Sequence, residues 1–214
     1  MKFIRSTTVE RRDYGKSALS KNIIKGNPFD QFKIWFEDAM QGGFMDPNAV
    51  SLCTASAGGR PSCRIVLLKH FDERGFVFFT NFESRKGSDI AENPQASMLL
   101  YWDKFERQIR IAGQVEKISV DETREYFDTR PFTSRLGAWA SQQSRPLSSR
   151  FKLVREVAKY MVKYPKNVPV PPHWGGYRII PDTFEFWQGR ESRLHDRFEY
   201  RLIDGDWKIE RLYP

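Results

Sequence analysis

Apolar and polar positions follow two rhythms along the chain. Between residues 28 and 41, Phe29, Phe32, Trp35, Phe36, Ala39 and Met40 recur at helical spacing, which predicts one amphipathic helix with this stripe toward a core. Asn27 stands where an N-cap is wanted, and Pro28 fits the first helical position. From Ala49 the rhythm shortens. AVSLCTAS and SCRIVLLKHF flank Ala57-Gly58-Gly59-Arg60-Pro61, a hairpin signal, and GFVFFTNF follows the next turn. Ser84 to Asn93 predicts a short helix that is capped by Ser84 and closed before Pro94. Two more strands, ASMLLYW and RQIRIAGQVEKI, lead to a helix with Ser119 and Glu122 at capping-box spacing, which stops before Pro131. Ser149 to Tyr164 predicts a further amphipathic helix. The tail returns to strands: GGYRIIP, TFEFWQG, FEYRLI and WKIERLY, the last two joined by a turn at Asp204-Gly205-Asp206. Eight or nine strands, mostly in antiparallel succession, and four helices predict an α+β fold around a closed or nearly closed barrel.

Composition narrows the setting. Of 214 residues, 40% are hydrophobic and 29% charged, the balance of one folded domain. The longest apolar runs, Ile65–Leu68 and Phe76–Phe79, are too short for a membrane-spanning helix. The N-terminal stretch lacks the apolar core of a signal peptide, so the expected location is cytoplasmic. Residues 1–26 are polar and weakly patterned, with Arg11-Arg12 and Tyr14, and read as an arm ahead of a domain at 27–214. Cys53 and Cys63 are the two cysteines and cannot make a disulfide framework. With three histidines they show no metal-ligand spacing, so no metal site is expected.

The net charge is +8, and arginines outnumber lysines 21 to 14. Nucleic acid and small phosphorylated ligands both suit that excess. The cations cluster at strand ends and in one loop, not in a stripe with stacking aromatics, which argues against nucleic acid. No GxGxxG follows a strand, so a dinucleotide fold is not supported.

Six stretches carry candidate chemistry. Arg64 and Lys69 bracket four apolar residues, so at least one charge turns toward a mostly buried face. In TNFESRKG, Arg85 and Lys86 sit in the first turn of a capped helix, where a bound anion would reverse their conflict with the helix dipole. Gln108 lies within a strand. Tyr126 and Arg130 are four apart on one helix face, with Ser134 just beyond, and the three read either as a phosphate cup or as a tyrosine packed on an arginine stem. Gln143-Ser144 close an apolar segment. Finally, FWQGRESRLHDR gathers Trp187, three further arginines and His195 in one loop. No nucleophile-and-base pairing stands out. This inventory binds anions while an organic cofactor supplies the chemistry.

RIVLLK, TNFESRKG, ERQIRIAG, YFDTRP, LGAWASQQS, WGGYRI, EFWQG and RLHDRFEYR, in that order, resemble the pyridoxine (pyridoxamine) 5′-phosphate oxidase family. The resemblance runs from about residue 11 to the C-terminus. It implies an FMN-binding split β-barrel, antiparallel and Greek-key-like with flanking helices, whose C-terminal strands serve dimerisation. It implies a homodimer with FMN between the subunits. The implied activity is oxidation of pyridoxamine or pyridoxine 5′-phosphate to pyridoxal 5′-phosphate, by hydride transfer from C4′ to flavin N5 with O2 as acceptor. By the same resemblance, Arg64, Arg85, Lys86 and Thr80 hold the FMN phosphate. The backbone of Arg64, Ile65, Val66, Leu67, Leu68, Lys69 and Phe79 lies along the flavin. Gln108, Gln143, Ser144, Trp187 and Arg197 complete the cofactor site. Lys69, Tyr126, Arg130 and Ser134 take the substrate phosphate, and Arg193, Leu194 and His195 flank the substrate ring, with Arg193 and His195 as the catalytic pair. Arg11, Arg12, Asp13 and Tyr14 match a covering arm. A pyridoxal phosphate carrier without turnover, or a split-barrel flavoprotein with another substrate, is the alternative.

Overall fold

The computed structural model describes residues 18–214. Among them, helix α1 spans Pro28–Gln41, and Asn27 caps it by accepting from the Phe29 amide. Phe32, Trp35 and Ala39 of its stripe are buried, and Phe29 and Phe36 pack against the same core. Met40 is largely exposed, against the expectation for the stripe. Strands β1 (Ala49–Ala55) and β2 (Pro61–Leu67) form the expected hairpin, followed by β3 (His70–Asp72) and β4 (Gly75–Asn81). Helix α2 is Arg85–Glu92. Strands β5 (Gln95–Trp102) and β6 (Arg107–Lys117) follow, then α3 (Val120–Thr129) with both halves of its Ser119/Glu122 capping box formed. Helices α4 (Phe132–Ala140) and α5 (Arg150–Lys163) precede β7 (Trp174–Gln188), β8 (Asp196–Ile203) and β9 (Asp206–Leu212). The β8–β9 turn has positive φ at Asp204 and Gly205, as its sequence requires.

The nine strands of the described residues belong to one antiparallel sheet. Its main path runs β2-β1-β5-β6-β7-β4-β3, with β8 and β9 added beside β7. The two ends of that path, β2 and β3, are consecutive in the chain. The Leu68 amide donates to Asn48 O on the β1 side at 2.9 Å, and the Lys69 amide donates to Val77 O on β4 at 2.9 Å. Neighbouring residues therefore bond to opposite edges of the sheet, and the sheet must curl until those edges meet. This splits SCRIVLLKHF into two strands. Conversely, GGYRIIP and TFEFWQG form one strand. Pro181, which has no amide hydrogen to donate, is accommodated by a register shift opposite Ala112/Gly113. A side chain at Gly113 would place its Cβ 2.0 Å from Ile180 O.

Phe76, Phe78, Phe184, Phe186, Phe198 and Tyr200 fill the barrel with α1, and each such buried aromatic contributes about 1.5–3 kcal/mol or more. A smaller core of Phe127, Leu136, Ala138, Val168 and Trp174 seats α3 and α4 on the barrel flank. The end of the stretch read as an arm is docked instead: Leu19 is buried, its amide donates to Asp196, and Tyr200 OH donates to Lys25 O. The arm residues Arg11, Arg12, Asp13 and Tyr14 lie outside the described residues. Among the described residues, no helix is long and apolar enough to cross a membrane, and no group of acidic, histidine or cysteine side chains could hold a metal ion.

Candidate active site

A cavity of about 890 Å³ opens on the barrel flank between β2, β4, α2 and the α3–α4 layer. Its lining includes Arg64, Ile65, Val66, Leu67, Lys69, Phe79, Thr80, Arg85, Lys86, Tyr126, Arg130, Ser134, Gln143 and Ser144. Leu68 is absent from that lining and buried in the core. On β2, Ser62, Arg64 and Val66 are the half-buried positions and Cys63, Ile65 and Leu67 the exposed ones, and residues of both sets line the cavity, whereas Leu68 lies past the strand end.

One end of the cavity is cationic. Ser84 caps α2, and Gly87 lets the helix start close on the preceding turn, where a Cβ would meet Phe82 O at 2.0 Å. The buried Lys86 ammonium donates to three neutral oxygens: Thr80 Oγ1 (3.0 Å), Ser84 Oγ (3.2 Å) and Gln143 Oε1 (3.0 Å). Ser144 accepts from the Arg85 amide at 3.2 Å, tying the Gln143-Ser144 segment to the helix start. Burial, and then repulsion from Arg64, pushes the Lys86 pKa down to about 8. Among the described residues this buried cation is held by neutral oxygens, a setting in which an anion is favoured.

The other end is aromatic and also cationic. Tyr126 stacks on Phe79 with ring centroids 3.9 Å apart, and Lys69 Nζ lies 5.9 Å from the Tyr126 ring. Arg130 lies over Trp174 at 4.6 Å and over Phe127 at 5.6 Å. Its Nη1 is buried without a hydrogen-bond partner among the described residues, and burial lowers its pKa. The expectation that Tyr126 and Arg130 share a helix face is corrected. Arg130 is the C-cap of α3 with extended backbone, because Pro131 disfavours helical geometry in the residue before it. Ser134 reaches the cavity from α4, a helix that the sequence pattern missed. It has no side-chain cap, and Pro131 reads as a stop.

The remaining residues form a second group, and none of them lines this cavity. Gln108, Trp187 and Arg197 lie side by side across β6, β7 and β8. His195 packs on Trp187 at 4.6 Å, and its Nδ1 accepts from the Arg190 amide at 3.1 Å. In the neutral ring the proton is then on Nε2. Burial, then the charge of Arg193, lowers the His195 pKa, so the ring is neutral at neutral pH. Arg193 has φ +62° in the turn before it, and Leu194 is exposed. Arg197 is already engaged: it makes a bidentate pair with Glu185 at 3.0 Å on both arms and donates to Tyr213 O at 2.9 Å. Trp174, at the cavity, and Trp187 mark opposite ends of β7, roughly 40 Å apart along an extended strand.

Sequence reasoning passed over Asn81 and Trp174. Asn81 accepts from the Glu83 amide at 2.7 Å and donates to Ser141 O at 3.3 Å, joining the two loops of the cationic end. Trp174 opens the WGG run and was findable as its bulky, cation-stacking member.

A curled antiparallel barrel with a cation-lined flank cavity is the architecture of the FMN-binding split-barrel proteins. A solved structure from Nostoc punctiforme, described as a pyridoxamine 5′-phosphate oxidase-related, FMN binding protein, shares this fold. Its TM-score is 0.71 at 18% identity, over 88% of this chain and 98% of that one. Residues 36–163 match the family model described as Pyridoxamine 5′-phosphate oxidase, and residues 174–214 match the Pyridoxine 5′-phosphate oxidase C-terminal dimerisation region. The chain belongs to the pyridoxine/pyridoxamine 5′-phosphate oxidase family and is an oxidoreductase. Family members of that name from Nostoc punctiforme and Cupriavidus pinatubonensis are 54% and 52% identical to it. The alignments cover 95% of this chain in both cases, and 96% and 97% of those proteins. The structure of PhzG from Burkholderia lata, in complex with tetrahydrophenazine-1-carboxylic acid, is 33% identical with a TM-score of 0.87, over 92% of this chain and 98% of that one.

Proposed function

We propose that this chain binds FMN and oxidises pyridoxamine and pyridoxine 5′-phosphate to pyridoxal 5′-phosphate, working as a homodimer. The observation that carries this reading is the cavity with two separate cationic ends. The Lys86 end suits the phosphate of FMN, and the Arg130 end, with its unpartnered Nη1, suits the phosphate of a second ligand. FMN, when bound, supplies the two-electron acceptor and passes the electrons to O2. The amine consumes one water and one O2 and yields the aldehyde, ammonia and H2O2; the alcohol needs only O2 and yields the aldehyde and H2O2.

The chain's own residues divide the work. Arg64, Thr80, Arg85 and Lys86 bind the cofactor phosphate, and strand β2 offers its backbone to the flavin edge. Tyr126, Arg130, Ser134 and Lys69 hold the substrate phosphate. Arg193 orients the substrate ring, and neutral His195 donates from Nε2. Gln108, Trp187, His195 and Arg193 stand far along β7 from the cavity, so a second copy must bring its own set to complete each site. The matched dimerisation region covers that second group except Gln108. In the same proposal Arg11, Arg12, Asp13 and Tyr14 cover the occupied site.

The test is anaerobic. The flavin band of the purified protein should bleach on addition of pyridoxamine 5′-phosphate and return with air as pyridoxal 5′-phosphate forms. A yellow protein that does not bleach has another substrate, and a colourless protein that takes up no FMN refutes the reading.

The Lys86 environment adds a pH dependence. Its pKa in the fold, about 8, is below the ordinary 10.5. Between those values the unfolded chain holds more protons, so the unfavourable contribution of Lys86 to the fold is relieved as pH rises through that window. A bound phosphate favours the protonated form and reverses the shift. FMN affinity is therefore expected to fall as pH rises above about 8, by up to about tenfold per unit. Riboflavin, without the phosphate, should not follow that trend, and Lys86→Met should flatten it. Flavin fluorescence titration at several pH values reads all three.

A further inference from the structure

Beyond the residues that face the cavity, we infer that Asp89 is a positioning residue for the cofactor phosphate, acting through Thr54 and Ser62 on Arg64; this rests on the FMN reading above. Asp89 lies on α2, one turn beyond Lys86, and is buried. Its Oδ2 accepts from Thr54 Oγ1 at 2.7 Å and from Ser62 Oγ at 3.0 Å. Those two hydroxyls in turn accept from Arg64: Nη1 donates to Thr54 Oγ1 at 2.7 Å, and Nη2 donates to Ser62 Oγ. Nη1 also donates to Leu52 O at 3.2 Å.

The direction of these bonds is what matters. A hydroxyl has one hydrogen and two lone pairs. The carboxylate can only accept, so it draws the hydrogen of each hydroxyl to itself and turns the lone pairs of both toward the guanidinium. Arg64 Nη2 is 3.8 Å from Asp89 Oδ2, so the pair acts mainly through the hydroxyls. These contacts occupy both hydrogens of Nη1 and one of Nη2. The Nε hydrogen and the second Nη2 hydrogen remain for a ligand, on a plane fixed from behind. The fixed plane also has a charge to offset: Arg64 is near enough to Lys86 to depress its pKa. The arrangement spans β1, β2 and α2, and so couples the strand wall to the helix that carries Arg85 and Lys86.

The test is flavin binding by fluorescence quenching, with FMN and riboflavin side by side. Asp89→Asn keeps the shape and one carbonyl oxygen for the two hydroxyls, but removes the charge that holds them turned toward it. It should weaken FMN by about tenfold to a hundredfold, the loss of a charge-assisted contact, and leave riboflavin within about twofold. In an Arg64→Met background the same change should add nothing, because its route is removed. Thr54→Val, which keeps the side-chain shape and removes the hydroxyl, should give a smaller loss with the same preference for FMN, and it carries the test if Asp89→Asn does not fold. Three results overturn the inference. One is wild-type or tighter FMN binding by Asp89→Asn, since a carboxylate that merely repelled phosphate would give tighter binding. Another is equal weakening of FMN and riboflavin, the mark of a structural role. The third is full additivity with Arg64→Met. A wild-type protein that binds no FMN overturns the cofactor reading itself, which separates the two failures.

Discussion

Replacing Arg193 by alanine is expected to leave flavin bound and to lower turnover by about a hundredfold to a thousandfold, the loss that follows removal of one preorganised group facing developing charge. Arg193 belongs to the group at the far end of β7, away from the cationic cavity that would hold FMN phosphate. Its left-handed backbone, φ +62°, follows Ser192 at φ +53°. Two consecutive non-glycine residues there indicate a turn held for the sake of what it presents. Flavin content by absorbance and kcat by aldehyde formation separate the roles. Loss of flavin with turnover would put Arg193 in the cofactor cradle instead. A mixing experiment sharpens this. In the proposed dimer, Arg193 and Lys86 of one site come from different subunits. Dissociated and reassembled together, Arg193→Ala and Lys86→Met subunits should regain about a quarter of wild-type sites, because half the dimers are mixed and each mixed dimer has one intact site. Sites built within one chain would regain nothing.

Arg130→Met is expected to raise KM for the phosphorylated substrates about a hundredfold while kcat at saturation changes little. The lost contact is a charge-assisted one from a stacked, half-buried guanidinium, worth about 1.5–3 kcal/mol. The same substitution should not lower the thermal stability of the ligand-free protein. Nη1 is buried without a partner, so methionine removes a desolvated cation and keeps the packing on Trp174. Loss of function with equal or higher Tm marks a residue retained for its ligand. A fall in Tm together with unchanged KM would make Arg130 a structural stem on Trp174.

The helices α1, α2 and α3 were legible because each carries its own start signal. Asn27-Pro28, Ser84 and the Ser119/Glu122 box are local devices, and all of them form. Helix α4 carries none, so only its packing of Leu136, Ala138 and Ala140 reveals it. The break at Leu68-Lys69 was equally invisible, since the two residues part company by bonding to different edges of a curled sheet. The cations of the cavity were legible as types at suggestive positions. Their state was not: the depressed pKa of Lys86 and the orphaned nitrogen of Arg130 are products of burial. Asp89 gave no signal, for an aspartate four residues into a helix looks like any solvated one.

What the sequence determined by itself is what depends on neighbours along the chain: the capped helices, the turns at Gly59 and Asp204-Gly205, the antiparallel class of the fold, and the family to which the ordered motifs belong. Tertiary structure alone decided which of those motifs meet. It joined β2, β4, α2 and α4 around one cavity, and it sent Gln108, Trp187, His195 and Arg193 to the other end of a fifteen-residue strand. The reason is geometric. Turn and cap preferences act over a few residues, whereas the closure that pairs β7 with β4 at one end and β8 at the other is a property of the whole sheet.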